Sequence, residues 1–69
     1  PPQKPAEVIK KLKKLDFEVD HATGSHQVLY KEGHPRPVVV PFHSRDLKKG
    51  TLAGILKQAD VSREDYLSL

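Results

Sequence analysis

The sequence contains no cysteine and no long run of apolar residues. Without cysteine, disulfide bonds and cysteine-based metal sites are excluded, and nothing indicates an oxidising compartment. Because no stretch of about 18 apolar residues occurs, no segment is predicted to span a membrane. Residues 1–5 are proline or polar and lack the apolar core of a secretion signal. We therefore expect a cytoplasmic protein.

The chain is also short, which restricts the kind of site that it can build. Its 69 residues suffice for one domain over residues 1–69, with residues 1–4 as a loose polar leader. A chain of this size buries only roughly 60% of its unfolded surface, so its core is thin. A deep substrate cavity is not expected. A shallow groove or a surface turn suits a polymer better than a small metabolite.

Positive charge is in moderate excess. Twelve lysine and arginine residues against nine aspartate and glutamate residues give a formal charge of +3 with neutral histidines. This excess fits either a slightly basic solvated surface or a surface that attracts phosphate, since the attraction depends on how many cations face one way. The cations form two groups along the chain, namely Lys10, Lys11, Lys13 and Lys14, and then Lys31, Arg36, Arg45, Lys48 and Lys49.

Apolar side chains at helical spacing predict two amphipathic helices, over residues 5–15 and 49–59. Gly54 lies inside the second helix, where glycine costs about 1 kcal/mol relative to alanine. A close approach of this helix to a sheet would explain the glycine. Ser62 and Asp65 have the spacing of an N-cap and a first-turn acid. We expect a third, short helix that begins there and ends at Leu67.

Three strands are predicted between the first two helices. Residues 17–21 alternate apolar and polar, as in a half-buried strand, and residues 26–31 and 36–42 contain apolar, β-branched runs. Gly24 permits the positive φ of a turn after the first strand. Residues 32–35 form the second turn. Pro37 and Pro41 fit the ends or the edge of the third strand, because neither can donate a ladder hydrogen bond.

The element order α-β-β-β-α predicts an α+β fold. Two helices should cover one face of a three-stranded antiparallel sheet, while the other face meets solvent. This is the layout of a double-stranded-RNA-binding domain, although layout alone does not give function. One question stays open at this point. His26, Val28 and Tyr30 share one face of the second strand and Leu29 lies on the other, and either face can be the covered one.

Four histidines in 69 residues is a high share, and histidine is suited to proton transfer near neutral pH. His26 follows Gly24 and Ser25 and opens a strand. Its ring would lie beside turn N–H groups that can bind a phosphate oxygen. On residue type alone, an ordinary polar residue at a strand start is the simpler interpretation.

The other histidines have weaker claims to a site. His43 either lines the site or holds the loop after the third strand, and the second role is favoured. His34 lies beside a proline in a turn and is expected to be solvated. His21 and His26 approach the same turn, but a metal site would need further ligands of the kinds that cysteine or paired carboxylates supply. No metal or other cofactor is expected.

A longer pattern surrounds the Gly24-Ser25-His26 turn and covers residues 5–67. After the turn and an apolar strand come Val38-Val39-Val40-Pro41 with His43, then Leu47-Lys48-Lys49-Gly50-Thr51-Leu52, then Ile55-Leu56-Lys57-Gln58-Ala59. Gly-Ser-His alone is short, but the combination at this spacing and length is specific. The chain resembles the HicA family of bacterial and archaeal toxins.

The resemblance implies a function. HicA-like proteins are mRNA interferases, which are metal-independent ribonucleases with the double-stranded-RNA-binding fold, and a HicB-type antitoxin neutralises them. The resemblance implies that His26 is the catalytic residue and that Gly24 and Ser25 form its supporting turn. Many relatives have an arginine shortly before the glycine, where this chain has His21. That departure would weaken phosphate binding or make it pH-dependent.

The implied chemistry can be written with these residues. The RNA 2′-OH attacks the adjacent phosphorus while neutral His26 takes its proton, or protonated His26 gives a proton to the departing 5′-oxygen. Proton transfer of this kind contributes about 10²–10⁴ in rate. Nearby cations would offset the charge that builds on the phosphoryl oxygens. The candidate RNA-binding residues are Lys31, Arg36, Lys48, Lys49 and His43.

Two other functions stay open at the level of sequence. The chain can instead be a non-catalytic double-stranded-RNA-binding module, which recognises shape through phosphate and 2′-OH contacts. It can also be an interaction protein whose exposed apolar surface serves a protein partner. RNA fragments distinguish the nuclease from the binding module, which would retain RNA without cutting it.

Overall fold

The computed structural model describes residues 3–43 and 45–69. Its elements are α1 (Pro5–Lys14), β1 (Glu18–Thr23), β2 (His26–Tyr30), β3 (Val38–Pro41), α2 (Lys49–Ala59) and α3 (Arg63–Leu67). The strands form an antiparallel sheet in the order β1-β2-β3. The predicted α+β fold is confirmed, and its element order is compatible with the layout of a double-stranded-RNA-binding domain.

The first helix begins at Pro5, as its sequence predicts, and ends at Lys14, one residue before its predicted end. Pro5 suits the first turn because its missing N–H would have no helical partner there. Val8 and Leu12 are fully buried on one side of the helix. Asp16 takes a positive φ of 72° after the last turn, and the Phe17 N–H donates to the Leu12 carbonyl at 3.1 Å. This Schellman-type ending turns the chain toward the sheet.

The core lies between the helices and one face of the sheet. On that face Leu29, Val38 and Val40 are fully buried, and Leu29 pairs with Val38 across the β2–β3 ladder. The α1 and α2 helices pack mainly against β3. The buried core comprises Val8, Ile9, Leu12, Phe17, Leu29, Val38, Val40, Leu47, Leu52, Ile55, Leu56, Ala59 and Tyr66. The prediction of helices on one face and solvent on the other is therefore confirmed.

The first strand differs from its prediction. It runs over Glu18–Thr23 and not over residues 17–21, and all six of its residues are exposed. Phe17, only 1% exposed, lies just before the strand. The expected half-buried strand is wrong because the helices pack mainly against β3 and leave β1 uncovered. The ladder also shifts register between Val19 and His21.

Three smaller features complete the fold. The short third helix is confirmed, since the Ser62 hydroxyl accepts a hydrogen bond from the Asp65 N–H at 3.1 Å. The explanation offered for Gly54 is wrong, because no atom lies within 4 Å of the position where a Cβ would be. In the described part of the chain, no helix has the length and apolar character to cross a membrane.

Part of the predicted leader belongs to the fold. Pro1 and Pro2 lie outside the described residues. Gln3 belongs to the fold, because its carbonyl accepts from the Leu47 N–H at 2.7 Å and its side-chain oxygen accepts from the Tyr66 hydroxyl at 3.0 Å. Residue 3 thus connects the N-terminus to both the loop before α2 and the last helix.

Candidate active site

The turn that opens the candidate site is held from both sides. Gly24 has a φ of +57°, which glycine adopts without the steric cost that a Cβ would bring. Thr23 and His26 face each other across the β1–β2 ladder. The Phe42 N–H donates to the Ser25 carbonyl, which ties the turn to the end of β3. The turn is therefore a fixed part of the sheet and presents the next residue in a defined direction.

His26 lies on the open face of the sheet. Side chains alternate along a strand, and Leu29 is the β2 residue that is fully buried against the helices. His26 and Val28 therefore face solvent. The face of β2 that the helices cover is the one with Leu29. His26 is exposed and pairs with Pro41 of β3. Within residues 3–43 and 45–69, no hydrogen bond to its ring is found, so both ring nitrogens can meet a ligand.

A cationic pocket adjoins Pro41, one strand away from His26. Paired strands lie about 4.8 Å apart, so the pocket begins next to the histidine. Its cations include Arg45 and Lys48, and Asp46 is the carboxylate that lines it. The full lining among the described residues is Pro41, His43, Arg45, Asp46, Leu47, Lys48 and Thr51. The pocket is open to solvent, as expected of a domain with a thin core.

Local structure gives this pocket its charge. Lys48 is the N-cap of α2, where no side chain caps the helix and no acidic residue lies in the first turn. The N–H groups of a helix start carry partial positive charge, which adds to the charge of exposed Lys48 and Lys49. His43 is exposed, and its Nδ1 accepts from the Arg45 N–H at 3.2 Å. His43 therefore holds its loop, as favoured from the sequence, and also lines the pocket.

Two of the predicted RNA-binding residues lie at the other end of the sheet. Lys31 follows the last residue of β2, about 17 Å from His26 at the usual rise per residue. Its ammonium lies 5.4 Å from the centre of the Phe17 ring. Arg36 lines a separate pocket with Lys57 and other residues near the end of α2. Neither cation can share one phosphate group with His26.

Arg45 is the cation that the sequence prediction left out of the site. It was part of the second group of cations, but nothing in its spacing separated it from Lys31 or Arg36. What distinguishes Arg45 is the antiparallel pairing of β2 and β3, since a residue that follows β3 lies at the end of the sheet where β2 begins. The useful signal was antiparallel order, which brings the loop after the third strand beside the turn before the second.

His34 is half-buried and bonded within the fold, so the expectation of a simply solvated side chain is wrong. Its Nε2 donates to the Gln58 carbonyl at 2.7 Å, and its ring meets the Phe17 ring edge-on at a centroid distance of 5.2 Å. The Gln58 side chain in turn accepts from the Val39 N–H at 3.1 Å. His34 therefore joins the second turn to the end of α2 and has a structural role.

Within the described ranges, no group of three histidine, cysteine, aspartate or glutamate residues could hold a metal ion. His21 is exposed on β1, and its Nδ1 donates to Asp20 at 2.8 Å. The absence of a metal requirement stays a prediction.

The comparisons with known proteins agree with the pattern around the turn. A search of curated proteins finds no significant match to the chain. A family model for the HicA toxin of bacterial toxin–antitoxin systems matches residues 5–61. The matched segment extends from the start of α1 to just beyond α2, so it contains the whole sheet, the Gly24-Ser25-His26 turn and the cationic pocket. The chain therefore belongs to the HicA toxin family, the toxin component of toxin–antitoxin systems.

Proposed function

We propose that this toxin is an endoribonuclease that cleaves mRNA by proton transfer at His26, without a metal. One observation carries the proposal. His26 is an exposed ring on the open face of the sheet, and a pocket with Arg45 and Lys48 begins one strand away. A phosphate held in the pocket brings a ribose beside the ring. The toxin family supports a role in which message is destroyed.

The reaction needs little from the protein because RNA supplies its own nucleophile, the 2′-OH. His26 takes a proton from that hydroxyl or gives one to the departing 5′-oxygen. Arg45 and Lys48 offset the negative charge that builds on the phosphoryl oxygens in the transition state. Lys49 and His43 add to the binding of that phosphate or the next one. Lys31 and Arg36 lie too far away to contact the same phosphate.

The first test compares purified parent and His26→Ala on a labelled message, in the presence of a chelator. The parent produces fragments, and His26→Ala cuts about 10²–10⁴ times more slowly while it keeps the circular-dichroism spectrum of the parent. Equal rates would show that His26 is not the catalytic residue. Retention of RNA by the parent without any fragments would favour the non-catalytic RNA-binding module.

A second test addresses the pocket. Arg45→Ala and Lys48→Ala should weaken RNA binding and lower the salt dependence, each by about 0.7 in the slope of log affinity against log salt. Lys10→Ala is the matched control, because Lys10 is an exposed cation on α1, a helix that lies on the covered side of the sheet. If Lys10→Ala lowers the slope as much as the pocket variants do, the pocket is not the phosphate site.

We also propose that the antitoxin partner is of the HicB type and covers the open face around His26. A partner that neutralises a polymer-cutting site must exclude the polymer from that site. The partner should stop cleavage by the pure toxin and protect His26 from acylation by diethyl pyrocarbonate, as measured by mass spectrometry. Neutralisation with His26 still fully reactive would place the antitoxin elsewhere on the chain.

A further inference from the structure

The side chains of Asp20 and His21 are hydrogen-bonded although they are neighbours in a strand. The distance from His21 Nδ1 to Asp20 Oδ2 is 2.8 Å. In a regular strand, neighbouring side chains point to opposite faces and cannot meet in this way. The register of β1 shifts between Val19 and His21, which inserts Asp20 as an extra residue. Such bulges redirect side chains and are frequent beside active sites.

The same register places His21 close to His26. Thr23 pairs with His26, and His21 pairs with Val28 two residues further along β2. His21 and His26 are therefore diagonal neighbours on the open face, a relation that separates residues by about 7–8 Å and leaves aromatic side chains within reach of each other. The side chain of His21 is 49% exposed. Two exposed imidazole rings, of His21 on β1 and His26 on β2, therefore lie near each other on the same face of the sheet.

We infer that His21 is a second catalytic residue, which protonates the departing 5′-oxygen while His26 accepts the proton of the 2′-OH. The inference rests on the proposed ribonuclease function and assigns the two proton transfers to two different rings. The Asp20–His21 pair carries the assignment. A carboxylate only accepts hydrogen bonds, so Nδ1 of His21 must bear a proton.

Asp20 therefore fixes the ring so that Nε2 is the nitrogen left for the substrate, and it balances the charge of the protonated ring. His26 has no such carboxylate among the described residues, which suits the ring that must begin neutral. Among residues 3–43 and 45–69, the register places these charged and titratable groups beside His21: Asp20 and Glu18 on its own strand, and His26 and Tyr30 on β2, the strand that pairs with β1.

The step balances with these two rings. The 2′-oxygen forms a bond to phosphorus, and its proton passes to His26. The bond between phosphorus and the 5′-oxygen breaks, and that oxygen takes the proton from Nε2 of His21. The products are a 2′,3′-cyclic phosphate and a free 5′-hydroxyl. His26 ends protonated and His21 neutral, and exchange with water restores both rings.

The test uses two RNA substrates that differ in one atom, a normal one and one with sulfur in place of the bridging 5′-oxygen. A thiolate leaves without a proton because thiols are much stronger acids than alcohols. His21→Ala should cut the normal substrate about 10²–10⁴ times more slowly than the parent and the sulfur substrate at nearly the rate of the parent. His26→Ala should stay slow on both substrates, because the 2′-OH still needs a base.

A pH profile gives an independent readout. The kcat/KM of the parent should rise and then fall with pH, because one ring must be neutral and the other protonated. His21→Ala should lose the fall at high pH. Asp20→Asn should slow cleavage of the normal substrate less than His21→Ala does. The matched control is Glu64→Gln, an exposed carboxylate of α3, which should leave both rates unchanged.

The outcomes separate the two proposals. A parent that cuts neither substrate overturns the ribonuclease function itself. Equal slowing of His21→Ala on both substrates, or full rescue by His21→Arg, which keeps a permanent cation, shows that His21 binds phosphate and donates no proton. Parent-like rates in His21→Ala on both substrates also overturn the inference, while the role of His26 stands.

Discussion

The two faces of the sheet carry the same residue types in opposite surroundings. On the covered side Leu29 and Tyr66 are fully buried, and His34 is bonded to α2. On the open face Val28 is only partly buried, Tyr30 is 47% exposed, and the His26 ring makes no hydrogen bond within the structure's described ranges.

The difference teaches how this small chain divides its work. Burial on one side supplies the stability, because the core of a small domain is thin and each of its apolar contacts is needed. The helices do not pack on the other side, so its titratable rings stay in contact with solvent. Substitutions on the covered side should therefore change stability, and substitutions on the open face should change activity.

The largest expected effect is at β2, which contributes to both faces. Leu29→Ala should lower the free energy of unfolding by about 2–5 kcal/mol, because it leaves a cavity in the core. Val28→Ala, one residue away on the open face, should cost about 1 kcal/mol or less. Urea denaturation of both variants measures the difference. Equal losses would mean that the faces are assigned the wrong way round.

The two histidines should give opposite results. His34→Ala removes the donor to the Gln58 carbonyl and should cost about 1–3 kcal/mol of stability, with cleavage by the folded fraction unchanged. His26→Ala should change stability by no more than about 0.5 kcal/mol, since it is an exposed position, and should slow cleavage by about 10²–10⁴-fold. Thermal melts and cleavage assays on both variants test the contrast. A stable but inactive His34→Ala variant would break it.

These contrasts also show what could be predicted from the sequence. Helical spacing located α1 and α2, and the Ser62–Asp65 spacing located α3, because each signal is local. The burial of β1 was predicted wrongly because Val19 alternates like a core residue. Which strand the helices cover depends on how they pack against the sheet, which is not local.

The same limit applies to the site. The Gly24 turn and His26 were located from the sequence, since a positive φ and a strand start are local features. The role of His34 depends on Gln58, 24 residues away in the chain. The Asp20–His21 pair was missed because alternation assumes a regular strand, and only the ladder reveals the bulge.

A smaller effect is expected at Gly54, on the solvent side of α2. No atom lies within 4 Å of a Cβ built there, so alanine fits without strain. Gly54→Ala should raise the free energy of unfolding by about 0.5–1 kcal/mol through helix propensity and a less flexible unfolded chain. A higher urea midpoint with unchanged cleavage is the expected result. A loss of stability would indicate a contact that only glycine allows.

The smallest effect separates the two tyrosines and appears only at high pH. Burial, together with the nearby charge of Glu7, raises the pKa of Tyr66 above its usual value of 10.0. The folded state therefore holds the phenol proton more tightly than the unfolded state does. This contribution to stability is fully present below the pKa of the unfolded chain and is lost as pH rises through the higher pKa of the folded state.

Chemical unfolding at pH values from 8 to about 11 tests this for Tyr66→Phe and Tyr30→Phe. Tyr66→Phe loses the hydrogen bond to Gln3 and should be less stable at every pH, with a shallower decline at high pH than the parent. Tyr30→Phe should keep the decline of the parent, because Tyr30 is exposed on the open face. Lysine deprotonation affects all three proteins alike and cancels in the comparison. If Tyr30→Phe flattens the decline instead, the phenol that folding perturbs lies on the open face.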